Sequence, residues 1–459
     1  MIRIFNHYVH RAALRSMLFD LAMALLVMIG AIAFYARGLD LAMPMASTHV
    51  FSFAACLFVI NSASGLYEVA LGSASRAMAR AVFVLLLALP LAYGIFSLLP
   101  TELTQRGALQ VTVMAGVAAL VLRRVYVSHW SVTGSPRTRI LIFGAGPAAQ
   151  VVGNTLKSSD PNAHIVGYVA GPNETTTAVP ANELLSLNGS LTDTAKRLEV
   201  DEIVVALTER RSGSMPLRQL LDCKLEGIKV FDLNTHFEKT LGQIRIDYVN
   251  ASWLIFGDGF NQGTLRSAVK LVFDILSALV LIVLSAPIML VTALLIKLES
   301  PGGVLYRQER VGQGGRKFNV TKFRSMRSDA EKDGKPVWAT TNDSRVTRVG
   351  NVIRKLRIDE LPQLFNVLRG EMSMVGPRPE RQYFVDQLTQ EIPFYAVRHS
   401  VKPGVTGWAQ VRYHYGSTVE DSQEKLQFDL YYVKNHTLFL DIVVLLETVG
   451  VVLTGKGAR

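Results

Sequence analysis

The sequence predicts a membrane protein of mixed class. A four-helix transmembrane bundle over 1–130 leads to a parallel α/β domain over 131–262, and then to a second α/β unit over 263–459 that opens with a re-entrant membrane helix. Three observations predict this. Hydrophobic residues make up 49% of the 459 and charged residues only 19%, a balance well to the apolar side of soluble domains. Four apolar stretches stand near the start with arginines flanking alternate ends, and a Gly-Ala-Gly turn follows a short apolar strand further on. The net charge of +11 suits anionic lipid, phosphorylated substrates and nucleic acid alike, so its distribution has to decide between them. Cys56 and Cys223 are the only cysteines, which excludes a disulfide framework and a Cys-based zinc site within the chain.

The four stretches are 17–36, 50–66, 78–99 and 107–122. The first and third are long enough to cross about 30 Å of hydrocarbon as helix, while the second and fourth are short for it. Arg3, Arg11 and Arg15 precede the first, Arg76 and Arg80 separate the second from the third, and Arg123 and Arg124 follow the fourth. The other two loops carry only Arg37 with Asp40 and Glu102 with Arg106. The positive-inside rule then puts both ends of the bundle in the cytoplasm. Asp20 within the first stretch, and three further stretches after it, favour a retained anchor over a cleaved leader.

A polar linker over 131–138, with Gly134 and Pro136, marks the next boundary. Beyond it, strands at 139–143, 165–169, 202–206 and 228–232 alternate with helical segments, the pattern of a parallel sheet. The first strand runs into Gly144-Ala-Gly146-Pro-Ala-Ala149, the start of a Rossmann-like fingerprint whose glycines let backbone approach a pyrophosphate. The second strand runs out into Ala170-Gly171-Pro172 without the acid that would hold a ribose. Three readings stand: a degenerate nucleotide-binding-like domain, a site for another nucleotide, or a glycine turn that only permits close strand-helix packing.

Residues 271–296 are again apolar, interrupted by Pro287. Were this a span, all that follows would leave the cytoplasm. Yet residues 300–358 hold 14 Lys plus Arg against 5 Asp plus Glu, a surface suited to the anionic cytoplasmic leaflet. Proline removes a backbone donor and clashes with the preceding turn, so a membrane hinge at Pro287 is expected to return the helix to the face it entered. The apolar stretch 438–452 is short for a crossing and is expected to pack on the membrane face.

The densest cluster of unusual sequence runs from Tyr306 to Val411. It holds Tyr306-Arg-Gln-Glu-Arg-Val-Gly312, Lys322-Phe-Arg-Ser-Met326, Arg345-Val-Thr-Arg-Val-Gly350 and Arg354-Lys-Leu-Arg-Ile-Asp-Glu-Leu-Pro-Gln363. Met372-Ser-Met-Val-Gly-Pro-Arg-Pro379 and Arg398-His-Ser-Val-Lys-Pro-Gly-Val-Thr-Gly-Trp-Ala-Gln-Val411 follow. Read alone, Asp359-Glu360 is an adjacent acid pair among Arg354, Lys355 and Arg357, just before a proline that suits a helix start. Such surroundings are expected to keep Asp359 ionised at neutral pH, as a nucleophile requires, although a solvated capping turn would carry the same residues. Trp408 is placed in the core, at the membrane interface or against a nucleotide, and His399 and His414 lack partners at zinc spacing.

These motifs, over about 268–455, resemble the bacterial sugar transferases, monotopic polyprenyl-phosphate sugar-1-phosphate transferases. The whole layout is similar to the large exopolysaccharide-initiating members, and the opening Ile2-Arg-Ile-Phe-Asn-His7 resembles the exosortase-associated (PEP-CTERM) subgroup. The resemblance implies a C-terminal monotopic α/β transferase domain facing the cytoplasm from a bacterial inner membrane. It implies Asp359 as the nucleophile that takes a phosphosugar from a UDP-sugar, glucose or galactose, and passes it to undecaprenyl phosphate. It also implies that Glu360 helps hold Mg2+. Lys322, Arg324, Arg354 and Arg378 are the candidates for phosphate contact, with Arg378 stiffened by Pro377 and Pro379. Where such members carry Ser before the hinge proline, this chain has Ala286, with Ser285 one place earlier. The sequence does not state what the spans and the central domain do; homodimer formation and nucleotide sensing are hypotheses for them.

Two other classes compete. A nucleotide-sugar dehydratase or epimerase needs a Tyr-x-x-x-Lys pair, and none of the 14 tyrosines has lysine four positions later. A non-catalytic scaffold for polysaccharide assembly predicts tolerance of Asp359→Ala. Nucleic-acid binding has only the net charge in its favour, with neither a stacking platform nor a binding motif.

Overall fold

The structure, a computed structural model, describes residues 2–4, 7–9, 11–36, 137–207, 215–249, 259–260, 263–327, 345–413 and 418–454, apart from scattered single positions. The chain forms two compact units: residues 1–4 with 8–248, and residues 5–7 with 249–459. β1 (Ile2–Ile4) and β2 (His7–Val9) are short strands, and α1 (Arg11–Ala36) is one helix of 26 residues over the first expected span. The other three expected spans, and with them the four-helix bundle, lie outside the described residues.

The first unit contains the expected parallel sheet. β3 (Thr138–Phe143), β4 (Ala163–Val169), β5 (Glu202–Val205) and β6 (Lys229–Asp232) lie in the order β4-β3-β5-β6, every neighbour parallel. Helices α2 (Pro147–Ser159), α3 (Leu191–Arg197) and α4 (Leu217–Leu225) connect them, and α5 (Leu233–Leu241) follows β6. Successive strand side chains face opposite ways, and this explains why Ile140-Leu-Ile-Phe143 is apolar throughout. Ile140 and Ile142 pack with Val152, Leu156 and Phe237 on one face, whereas Leu141 and Phe143 pack with Leu191, Leu220 and Cys223 on the other.

The glycine turn is satisfied from within the chain. Gly144 has φ +135° and lies so close to β5 that a Cβ would sit 2.8 Å from the Ala206 carbonyl oxygen, so close packing requires glycine here. The Ala145 and Gly146 amides, at the start of α2, donate to the Glu174 carboxylate at 2.7 and 3.2 Å, and the Gly171 amide donates to it at 2.9 Å. An internal anion thus takes the donors that a bound pyrophosphate would use.

In the second unit α6 (Gly263–Glu299) is a helix of 37 residues, and among the described residues it is the one long and apolar enough to cross a membrane. The break expected at Pro287 is corrected: the helix continues through it. The Ser285 hydroxyl donates to the Leu281 carbonyl at 2.6 Å, satisfying a backbone acceptor one turn back. α6 is held by the same unit at Asp274 and again at its C-terminal residue, Glu299. Asp274 accepts from the Met374 amide at 3.1 Å, and Glu299 accepts from the Arg348 and Val349 amides at 2.8 and 3.2 Å. Between these anchors Val283, Leu284, Leu290 and Leu294 are exposed.

β7 (Leu305–Val311) and β8 (Lys317–Phe323) form an antiparallel hairpin whose turn uses Gly314 and Gly315 at positive φ. α7 (Arg348–Lys355), α8 (Gln363–Leu368) and α9 (Gln382–Glu391) pack around it. β9 (Ser373–Val375) pairs in parallel with β10 (Gly404–Thr406), which brings the Gly376-Pro-Arg378-Pro motif beside the Lys402-Pro-Gly404 motif. The approach is close enough that a Cβ on Gly376 would lie 2.3 Å from the Lys402 carbonyl oxygen. α10 (Trp408–Arg412), α11 (Val419–Asn435) and α12 (Leu438–Thr454) complete the unit. Trp408 is buried and stacked on Tyr431, which settles it as core. His414 lies outside the described residues.

Candidate active site

The acid pair owes its position to a strained turn. α7 ends at Lys355, Arg357 adopts the left-handed conformation (φ +58°), and a single 3-10 turn, Ile358–Glu360, carries both carboxylates inward ahead of Pro362 and α8. A non-glycine residue in that region costs about 1 kcal/mol or more, strain that recurs where a site dictates backbone shape. Asp359 and Glu360 are both buried, and Asp359 lines a cavity of about 450 Å3 together with Lys322, Arg354 and Arg378.

The two carboxylates live in different surroundings. Glu360 Oε1 accepts from Arg378 Nη2 at 2.8 Å and Lys322 Nζ at 3.1 Å, and Oε2 lies 3.6 Å from Arg357 Nη1. Although burial works the other way, those cations hold its carboxyl well below the usual range. Asp359 Oδ1 is buried with no hydrogen-bond partner among the described residues. Burial first, and then the Glu360 charge, push the Asp359 carboxyl up to about 6 against the pull of Lys322, Arg378 and Arg354. The direction is opposite to the one expected from the flanking cations alone, because the sequence does not show burial. Asp359 is still mainly ionised at pH 7, so a reaction that uses it as nucleophile should lose kcat/KM on the acid side, about tenfold per pH unit below about 6. A profile that stays flat to pH 5 would contradict this.

An acid pair with an unpartnered buried oxygen fits a magnesium ion, which commonly takes one or two carboxylates and completes its shell with water and substrate phosphate. Among the described residues there is no cluster of three or more potential ligands, so the substrate would have to supply the rest.

Of the predicted contacts, Lys322, Arg354 and Arg378 converge on the acid pair. Arg324 is held differently, and its Nε has no hydrogen-bond partner among the described residues. It borders the same cavity, but its guanidinium donates to the carbonyls of Pro301 (2.6 Å), Ser300 (2.9 Å) and Ile296 (3.4 Å) and to the Ser300 hydroxyl (3.0 Å), closing the C-terminal end of α6. Carbonyls left over at a helix end need such donors. Arg324→Ala should therefore destabilise the unit by about 2 kcal/mol or more while leaving the KM of a phosphate-bearing substrate within about twofold. Thermal unfolding and steady-state kinetics of the variant check it.

The structure adds residues that motif reading passed over. Arg398 is 5% exposed and makes two hydrogen bonds to Asp429, at 2.7 and 3.0 Å. It also donates to the Tyr395 hydroxyl at 3.0 Å and to the Arg378 backbone carbonyl at 2.9 Å. From the other side Arg310 donates to the Pro379 carbonyl at 3.2 Å and to Glu380 at 3.3 Å. The buried Arg398 and the half-buried Arg310 thus clamp the loop that aims Arg378. Arg398 and Arg310 stand inside quoted motifs, a signal that was available, whereas Asp429 sits unmarked in a helical run.

A buried acid pair ringed by cations, in the same unit as a long apolar helix, is a site suited to handling phosphate groups. Residues 265–455 match the family described as bacterial sugar transferase. The chain is 48% identical over 259 residues to the UDP-N-acetylgalactosamine-undecaprenyl-phosphate N-acetylgalactosaminephosphotransferase of Aeromonas hydrophila, a match covering 56% of this chain and 60% of that protein. It is 32% identical over 355 residues to the UDP-glucose:undecaprenyl-phosphate glucose-1-phosphate transferase of Xanthomonas campestris pv. campestris, covering 74% of this chain and 72% of that protein. Against the exopolysaccharide production protein PSS of Rhizobium leguminosarum bv. phaseoli it is 43% identical over 194 residues, 41% of this chain and 97% of that one. The chain belongs to the bacterial sugar transferase family and is a phosphoglycosyl transferase.

Proposed function

We propose that this protein transfers a hexose or N-acetylhexosamine 1-phosphate from a UDP-sugar to undecaprenyl phosphate, the first lipid-linked step of an exopolysaccharide. The observation that carries the reading is the buried Asp359, unpartnered at Oδ1, beside a Glu360 that already gathers Lys322 and Arg378. Relatives with this catalytic segment are named for N-acetylgalactosamine and for glucose, which supports a UDP-hexose-type donor and leaves the choice to measurement.

Asp359 attacks the phosphorus next to the sugar. The bond from that phosphorus to the bridging oxygen breaks, UMP departs with the electron pair, and an acyl phosphosugar remains on Asp359. An oxygen of undecaprenyl phosphate then attacks the same phosphorus, the Asp359–phosphorus bond breaks, and the free carboxylate returns. Phosphoryl transfer depends mostly on positioning and charge stabilisation, which is what Lys322, Arg354 and Arg378 provide around the acid pair. Glu360 holds Lys322 and Arg378 in place and would help hold Mg2+, whose charge would neutralise the diphosphate. The acceptor is a membrane lipid. A helix held by one unit at Asp274 and again at Glu299 cannot have a bilayer between those points, which supports α6 as monotopic, and the basic run 300–358 supports the cytoplasmic face.

The test is UMP release by detergent-solubilised protein given undecaprenyl phosphate, Mg2+ and UDP-glucose, UDP-galactose or UDP-N-acetylgalactosamine in turn. Release with one or two donors is expected. Its absence with all of them would overturn the reading.

A further inference from the structure

His7 lies 401 residues before Trp408, yet residues 5–7 belong to the same compact unit as the active site. The His7 imidazole is 7% exposed, and its Nδ1 shares a hydrogen bond of 2.8 Å with the Tyr431 hydroxyl. Its ring meets Trp408 edge to face, with centroids 5.4 Å apart and planes at 86°, and meets Tyr431 at 5.9 Å and 71°. Trp408 in turn stacks on Tyr431 at 5.9 Å and 28°, and the Arg412 guanidinium lies 4.4 Å over the Trp408 ring. Burial and the Arg412 charge lower the imidazole to about 4, so the ring is neutral at working pH and its contacts are those of a packed, hydrogen-bonded aromatic.

The position of this cluster gives it a bearing on the site. Trp408 opens α10, whose next two residues, Ala409 and Gln410, line the cavity. Tyr431 stands on α11, which presents Lys425, Leu426 and Asp429 to the same cavity. His7 therefore fills the corner behind the wall that α10 and α11 give to the cavity. We infer that His7 is a working part of the transferase unit, a positioning residue that holds this wall in register for the substrate. The inference rests on the proposed transfer reaction and adds to it a residue from the far end of the chain. Asp429, which anchors Arg398, lies half a turn from Tyr431 on the same helix, so a shift of α11 reaches the loop that carries Arg378 as well.

Full-length His7→Ala leaves a void behind Trp408 that the packed rings can fill only by moving. It is expected to raise the KM for the UDP-sugar about fivefold to tenfold while kcat stays within about threefold, since Asp359 and Glu360 are untouched. His7→Gln, which offers an amide to the Tyr431 hydroxyl, should bring KM back to within about twofold of the original protein. A purely structural role would lower the melting temperature and the active fraction and leave KM where it was, and that result overturns the inference. Should His7→Ala fail to fold, Tyr431→Phe removes the partner hydroxyl and keeps the ring, and an unchanged KM in that variant overturns it equally. Absence of UMP release from the unaltered protein is a different outcome, one that removes the transfer reading itself.

Discussion

Asp359→Asn is expected to abolish transfer, with UMP release falling by at least about a thousandfold while the protein keeps its fold and its affinity for the donor. The substitution keeps the size of the side chain and removes its charge and nucleophilic oxygen. Among the described residues Asp359 makes no ion pair, since Lys322, Arg357 and Arg378 all engage Glu360, so the neutral amide breaks no salt bridge. Relief of a buried charge next to Glu360 should even favour the folded state slightly. Activity and stability must therefore part company in this variant. A melting temperature at or above that of the original protein, combined with loss of UMP release, is the expected pair of results. Retained release would remove Asp359 from the role of nucleophile.

The second large effect belongs to Arg398. Arg398→Ala strands Asp429 as a buried charge without its partner and frees the backbone carbonyl of Arg378. Breaking a buried ion pair from one side costs about 3–5 kcal/mol, enough to threaten a marginally stable domain. The double substitution Arg398→Met with Asp429→Leu removes both charges and should recover most of the stability. It should not recover activity, because the Arg378 loop still lacks the donor that fixes it. Thermal unfolding and UMP release measured on the single and double variants separate these two roles of one side chain. Recovery of both together would mean that Arg398 serves stability alone.

The parts of the fold written as local patterns were legible in the sequence. The run Arg139-Ile-Leu-Ile-Phe143 and its three companion strands were placed within two residues because alternate burial on two faces leaves a continuous apolar signature. Lys322, Arg354, Arg378 and the acid pair likewise came together, from segments up to 56 residues apart, because each stands in a distinctive motif. Where pattern reading failed, the deciding interaction was tertiary. Arg324 stands two residues from Lys322 on a strand and continuation, and nothing local tells that one reaches the acid pair and the other the carbonyls at the end of α6. Pro287 carries a local signal for a break, yet α6 runs on, held at Asp274 by Met374 and at Glu299 by Arg348, far along the chain. Glu174 replaces the missing ribose acid with something different, a carboxylate folded back onto the turn, and only the structure shows the amides it occupies.

The central claim is that the phosphosugar passes through a covalent bond to Asp359. Protein incubated with Mg2+ and a UDP-sugar labelled in the sugar, without undecaprenyl phosphate, should retain label after rapid denaturation, and peptide mapping should place it on the segment containing Asp359. Adding undecaprenyl phosphate before denaturation should chase the label into lipid, and Asp359→Asn should carry none. Label that never appears on the protein while lipid product still forms, or label that appears equally in Asp359→Asn, would contradict the account.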